Sequence, residues 1–192
     1  MKNIAGRLAM AASSLALMLS LSISSAFALN LVTNGGFETG DFSGWIQNGA
    51  YMYVSGSNPA SGSYAAALGT AGGLGSLTQS GLHTIAGLEY ELRFNLATSG
   101  GVLSEFQALV NGHSLLTTTI DSNQPYSYVS LIFTADSDLT EIAFLARNDV
   151  GAFSLDNVSL DLAPVPEPST LLLLGLGLLG AGFLRKRTLR KV

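Results

Sequence analysis

The sequence predicts an all-β fold: a single jelly-roll β-sandwich of about eight or nine strands, with an apolar segment at each end of the chain. Three observations lead there. Between residues 29 and 163 no stretch sustains an apolar period of about 3.6 residues. The same region breaks into short alternating runs, cut roughly every 8 to 12 residues by Gly, Asn, Asp, Ser or Pro. Its 135 residues suit one domain with a core of its own.

In chain order, the first 28 residues read as a signal peptide. Lys2 and Arg7 form a cationic start, residues 8–23 an apolar stretch, and Ala26-Phe27-Ala28 the small-x-small cleavage pattern, with Ala26 and Ala28 as its small residues. Tyr90-Glu-Leu-Arg-Phe-Asn-Leu96 is the cleanest strand: Tyr90, Leu92, Phe94 and Leu96 share one face, Glu91, Arg93 and Asn95 the other. Val110-Asn-Gly-His113 is a hairpin signal, because Asn-Gly accepts the positive φ angles of a type I′ turn. Residues 128–133 and 140–147 alternate as strands, with a turn at Asp136–Asp138 between them. In the last run the apolar positions are 153 and 155, then 158, 160 and 162. A strand changes parity only through a bulge, which places one at Asp156-Asn157. A bulge there re-aims Asp156 and suits a cation site; on pattern alone the same aspartate equally well turns the chain.

The net charge of −4 conceals an asymmetry. Residues 29–163 hold twelve carboxylates against Arg93 and Arg147, which leaves −10 and no lysine; the flanking segments carry +2 and +4. Such a domain repels phosphate backbones, which argues against nucleic acid as a partner. The absence of cysteine excludes disulfides, thiolate nucleophiles and thiolate-bound metals. No Gly-x-Ser-x-Gly elbow is present, and His83 and His113 read as isolated surface residues. The reading is a protein without a catalytic site or an organic cofactor.

The C-terminal segment, 164–192, opens on three alternate prolines and runs through an uncharged stretch, 169–184, into Arg185-Lys186-Arg187. As a helix of about 1.5 Å rise per residue, that stretch spans roughly 24 Å, short of the ~30 Å hydrocarbon core, and flanking cations reach part of the difference. The cations stay cytoplasmic and the prolines keep the junction extended. Gly175-Leu-Gly-Leu-Leu-Gly180 matches a dinucleotide-binding pattern, but no strand precedes it, so small-residue helix packing in lipid explains it better.

Two resemblances follow from these residues. Pro166-Glu167-Pro168, the Leu/Gly-rich span and the basic cluster resemble the PEP-CTERM protein-sorting signal. That resemblance implies recognition by an exosortase, processing near Pro166-Glu167-Pro168, and a destination at the surface or in the matrix of a Gram-negative bacterium. The opening Asn34-Gly-Gly-Phe-Glu38 through Trp45, and the closing Phe153-Ser-Leu-Asp-Asn-Val-Ser-Leu160, are similar to galactose-binding-like, carbohydrate-binding-module jelly rolls. There the resemblance implies one structural calcium ion where the first and last strands meet, with Glu38 and Asp156 as ligands; Glu38 bracing the glycine-rich entry loop is the alternative. It also implies aromatic sugar platforms, for which Trp45, Tyr51, Tyr53, Tyr126 and Tyr128 are the candidates, with Arg93 and Gln124 as polar partners. The family often buries the tryptophan at the position of Trp45. The expected function is an exported, exosortase-processed surface or extracellular-matrix protein, tethered to the inner membrane before processing, whose non-catalytic sandwich binds polysaccharide. The alternatives are a purely structural matrix protein and a small secreted glycoside hydrolase.

Overall fold

The computed structural model describes residues 30–69, 71–164 and 175. The expected cleavage residues Ala26 and Ala28, and the sorting positions Pro166, Glu167, Pro168, Arg185, Lys186 and Arg187, lie outside the described residues. Within the described residues ten strands form: β1 (Ile46–Asn48), β2 (Met52–Ser55), β3 (Ala65–Leu68), β4 (Gly75–His83), β5 (Glu89–Ser99), β6 (Glu105–Val110), β7 (His113–Thr119), β8 (Asn123–Thr134), β9 (Leu139–Arg147) and β10 (Phe153–Leu162). They make two antiparallel five-stranded sheets, ordered β1-β4-β9-β6-β7 and β2-β3-β10-β5-β8. The jelly-roll sandwich is therefore present with ten strands instead of eight or nine; the short edge strands β1 and β2 carry too little alternation to be counted from sequence.

Side-chain alternation places the core between the sheets. Tyr90, Leu92, Phe94 and Leu96 of β5 all face inward, as do Ile142, Phe144 and Ala146 of β9. Aromatic rings fill the centre: Phe144 packs edge-on against Phe94 at 5.2 Å between centroids, and lies 6.0 Å from Phe106 and 6.1 Å from Trp45. At the β6–β7 turn Asn111 and Gly112 take φ angles of 48° and 78°, the positive pair that the Asn-Gly signal requires.

The parity change in β10 is resolved by a bulge. Its register to β5 shifts between Asp156 and Ser159, and Asn157 takes φ 53°. The entry segment lies along the strand just beyond that bulge. The Leu31 N–H donates to the Leu160 carbonyl and the Val158 N–H to the Gly35 carbonyl. A Cβ at Gly35 would sit 2.0 Å from the Val158 oxygen, so only glycine lets the two segments close together. First and last segments thus meet beside Asp156.

Candidate functional site

The β2-β3-β10-β5-β8 sheet has an outer face on which register assembles a row of small side chains. Tyr53 of β2 pairs with Ala67 of β3, Ala67 with Ser154 of β10, and Ser154 with Ala97 of β5. Their neighbours in sequence, such as Ala66, Phe153, Leu155 and Leu96, face the core, so these four face outward. The result is a groove of about 490 Å³ running across the strands. Its floor is alanine and serine; Tyr53 stands at one end, and Gln124 and Tyr126 of β8 at the other. Small floor residues leave the depth, and tyrosines supply apolar faces with polar tips.

One wall of the groove is formed by Ser57 and Asn58 of the β2–β3 connection, residues 56–64, the rest of which folds over the next row of the sheet. Four side chains outside the loop hold it, those of Tyr126, Asn157, Asp156 and Glu38. The Tyr126 hydroxyl donates to the Asn58 carbonyl at 2.6 Å, and the Ser61 hydroxyl to Asn157 Oδ1 at 2.7 Å. Asp156 Oδ2 accepts the Ala60 and Ser61 N–H groups at 2.9 and 3.0 Å. Glu38 accepts the Ser63 N–H at 3.0 Å and the Tyr64 N–H at 3.1 Å. Gly62, at φ 64°, passes so close that a Cβ there would lie 2.3 Å from Glu38 Oε1. The carboxylates act here as a clasp on a peptide loop.

Burial sets the electrostatics of the clasp. Asp156 has no exposed surface, and its pKa is raised above the usual aspartate value by desolvation, against the lowering effect of the Ser61, Asn157 and Ala60 N–H groups; the Glu38 charge adds to the rise. Burial also pushes up the Tyr126 hydroxyl. In the turn after β9, the Arg147 guanidinium and the Gly72 N–H hold Asp149 down to about 2.

Glu38 and Asp156 converge where the first and last segments meet. Calcium takes about six to eight oxygen ligands. Here the N–H groups of residues 60, 61, 63, 64 and 157 already point at the two carboxylates. Among the described residues no group of three or more His, Asp or Glu side chains converges. As arranged, both carboxylates are engaged by loop N–H groups. Asp156→Ala is expected to cost about 2 to 4 kcal/mol, because two loop N–H groups lose a buried acceptor, equally in calcium and in chelator. A melting temperature that rises with calcium, and ceases to do so in the Glu38→Gln, Asp156→Asn double variant, would place an ion there instead.

The aromatic candidates separate. Tyr53 and Tyr126 line the groove together with Gln124. Trp45 does not: it is 7% exposed, packs against Phe37 and Phe144, and donates its indole N–H to the Asn34 carbonyl at 3.2 Å. It is a core residue, as the buried-tryptophan pattern of the family implies. Tyr51 sits at φ 63° in the turn before β2 and is exposed but outside the groove. Tyr128 lies beyond the clasped loop, in the row of Asn95 and Asp156. Arg93 is one row further on, ion-paired with Asp161. Sequence reasoning missed Ala67, Ala97 and Ser154; the hint was the Ala65-Ala66-Ala67 run, too small for an ordinary half-buried strand.

The segment past the sandwich matches a family model described as the PEP-CTERM protein-sorting motif, over residues 164–187. The chain carries this sorting motif. The PEP-CTERM motif marks the chain for export and sorting at the membrane, with processing by an exosortase. It covers the tail alone, and the sandwich finds its likeness among solved structures. TmCBM61, solved in complex with β-1,4-galactotriose, superposes with a TM-score of 0.55 at 19% identity, over 70% of this chain and 99% of that one. The CBM22-1 xylan-binding domain of Paenibacillus barcinonensis Xyn10C gives 0.53 at 14% identity, over 72% and 97%. The enzymatically active domain of bacteriophage CBA120 tailspike protein 4 gives 0.54 at 19% identity, over 70% of this chain but 22% of that one. At these identities the likeness is one of fold: the PEP-CTERM chain has the jelly-roll sandwich of carbohydrate-binding modules. No curated protein matches the sequence.

Proposed function

We propose that this chain is an exported surface or matrix protein whose sandwich, residues 29–163, binds polysaccharide without cleaving it. In this reading residues 1–28 are removed as a signal peptide, and 164–192 tether the chain to the inner membrane until an exosortase acts. The observation that carries the binding role is the groove across β2-β3-β10-β5-β8, with its small floor between Tyr53 and Tyr126. A sugar ring can lie on that floor with an apolar face against tyrosine, while its hydroxyls meet Asn58, Gln124 and Ser154. The lining carries no carboxylate or histidine, and its titratable groups are the Tyr53 and Tyr126 phenols, one of which is already committed to Asn58. Retention of the protein in native gels containing polysaccharide tests the binding role. Free migration through every polymer would leave only a structural role, and turnover of a glycoside would make it an enzyme.

The sorting role has its own test. Mass spectrometry of the exported protein is expected to find a C-terminus at or near Pro166–Pro168. A mature chain still ending at Val192 would sink the processing step.

A further inference from the structure

We infer that the groove selects neutral glycans and rejects those bearing carboxylate or sulfate groups; this rests on the polysaccharide-binding role. Three observations carry it. The groove lining has no charged side chain, only tyrosine, serine, threonine, asparagine, glutamine, alanine and proline. An anionic sugar needs a partner for its charge, and proteins supply one as arginine, lysine or a cluster of backbone N–H groups. None is free here.

Residues 29–163 contain no lysine and two arginines. Arg147 makes a two-pronged pair with Asp149, both contacts at 2.9 Å. Arg93 shares the outer face of the groove's sheet but is paired with Asp161. It also stands two rows from the groove floor: Ser154 opposes Ala97, Asp156 opposes Asn95, and Ser159 opposes Arg93. The clasped loop covers the row between.

The N–H cluster is the third point. Residues 60, 61, 63 and 64, further along the loop that gives Ser57 and Asn58 to the groove, present backbone donors in an arrangement suited to an anion. The chain's own carboxylates already fill it, Asp156 on two donors and Glu38 on the others. Two acids therefore sit under that loop, next to the groove, within a sandwich of charge −10. An incoming uronate or sulfate meets repulsion and finds no compensating donor. A neutral sugar chain loses nothing by either. Five strands about 4.8 Å apart give the groove roughly 19 Å of sheet to cross, room for a short run of sugars.

Matched polymers test this with the full-length chain in detergent: hydroxyethylcellulose against carboxymethylcellulose, dextran against dextran sulfate, and β-1,4-galactan against polygalacturonate. Retention is expected on at least one neutral member and at least tenfold weaker on its charged counterpart at low salt, with the gap narrowing as salt is added. Gln124→Lys, on the exposed rim of the groove, is expected to raise retention on the charged counterpart. Equal or stronger binding of a charged polymer by the unaltered protein would overturn neutral selectivity and leave polysaccharide binding standing. So would a Gln124→Lys protein that binds neutral polymer but discriminates as before. Retention on no polymer of either kind would defeat the binding role and this inference with it.

Discussion

Phe144→Ala is expected to lower the stability of the sandwich by about 3 to 5 kcal/mol, the range for deleting a fully buried aromatic ring. Phe144 has no exposed surface and touches Phe94, Phe106 and Trp45, so its loss opens a cavity bounded by residues of both sheets and of the entry segment. Those neighbours cannot collapse into the space without pulling the sheets together or breaking the β9 ladder. Set against a typical domain stability of about 5 to 15 kcal/mol, the change is large, and it corresponds to a fall in melting temperature on the order of 15 °C. Denaturant unfolding followed by tryptophan fluorescence reads it directly, because Trp45, the single tryptophan, is one of the contacts. A cost below about 1 kcal/mol would mean that the core is not closed around this ring.

Tyr53→Ala is expected to weaken polysaccharide retention at least tenfold, about 1.4 kcal/mol, with the melting temperature unchanged. Tyr53 is 57% exposed and its ring stands free above the end of the Ala67–Ser154–Ala97 row, so its removal takes away a sugar platform and little packing. Tyr126→Phe separates a second effect. It keeps the ring and deletes the hydroxyl that holds Asn58, so the groove wall loosens by about 1 kcal/mol, the worth of one hydrogen bond. Retention should fall less than in Tyr53→Ala. Tyr51→Ala serves as the control: Tyr51 is 70% exposed, more than Tyr53, yet it lies off the groove and its loss should change nothing. If Tyr51→Ala and Tyr53→Ala behave alike, binding occurs elsewhere on the surface.

Local chemistry explains how much of this was legible. Strand parity is set by successive residues, so the inward face of β5 and the bulge at Asp156-Asn157 can be read without any partner strand. Turn geometry is equally local at Asn111-Gly112, where two positive φ angles require an Asn-Gly pair. The edge strands β1 and β2, at three and four residues, are too short to show a period. Tyr51 and Tyr53 part company because backbone geometry intervenes. Tyr51 and Tyr53 look like equals in sequence, but a positive φ at Tyr51 takes it out of the strand, and only Tyr53 stays on the sheet.

The sequence by itself determined the exported, sorted character of the chain, the all-β class, the −10 charge of the sandwich and the position of the bulge. Each depends on contiguous residues or on simple counts. Only the tertiary structure decided where a ligand could lie and what the two carboxylates do. Tyr53, Ala67, Ala97, Tyr126 and Ser154 meet because β3 pairs with β10 and β10 with β5, a strand order with no local signature. Glu38 and Asp156 are 118 positions apart, and whether they face a cation or a peptide loop depends on which groups the β2–β3 connection turns toward them. It turns N–H groups toward both, and hydrogen bonds from N–H groups favour the charged form of a carboxylate.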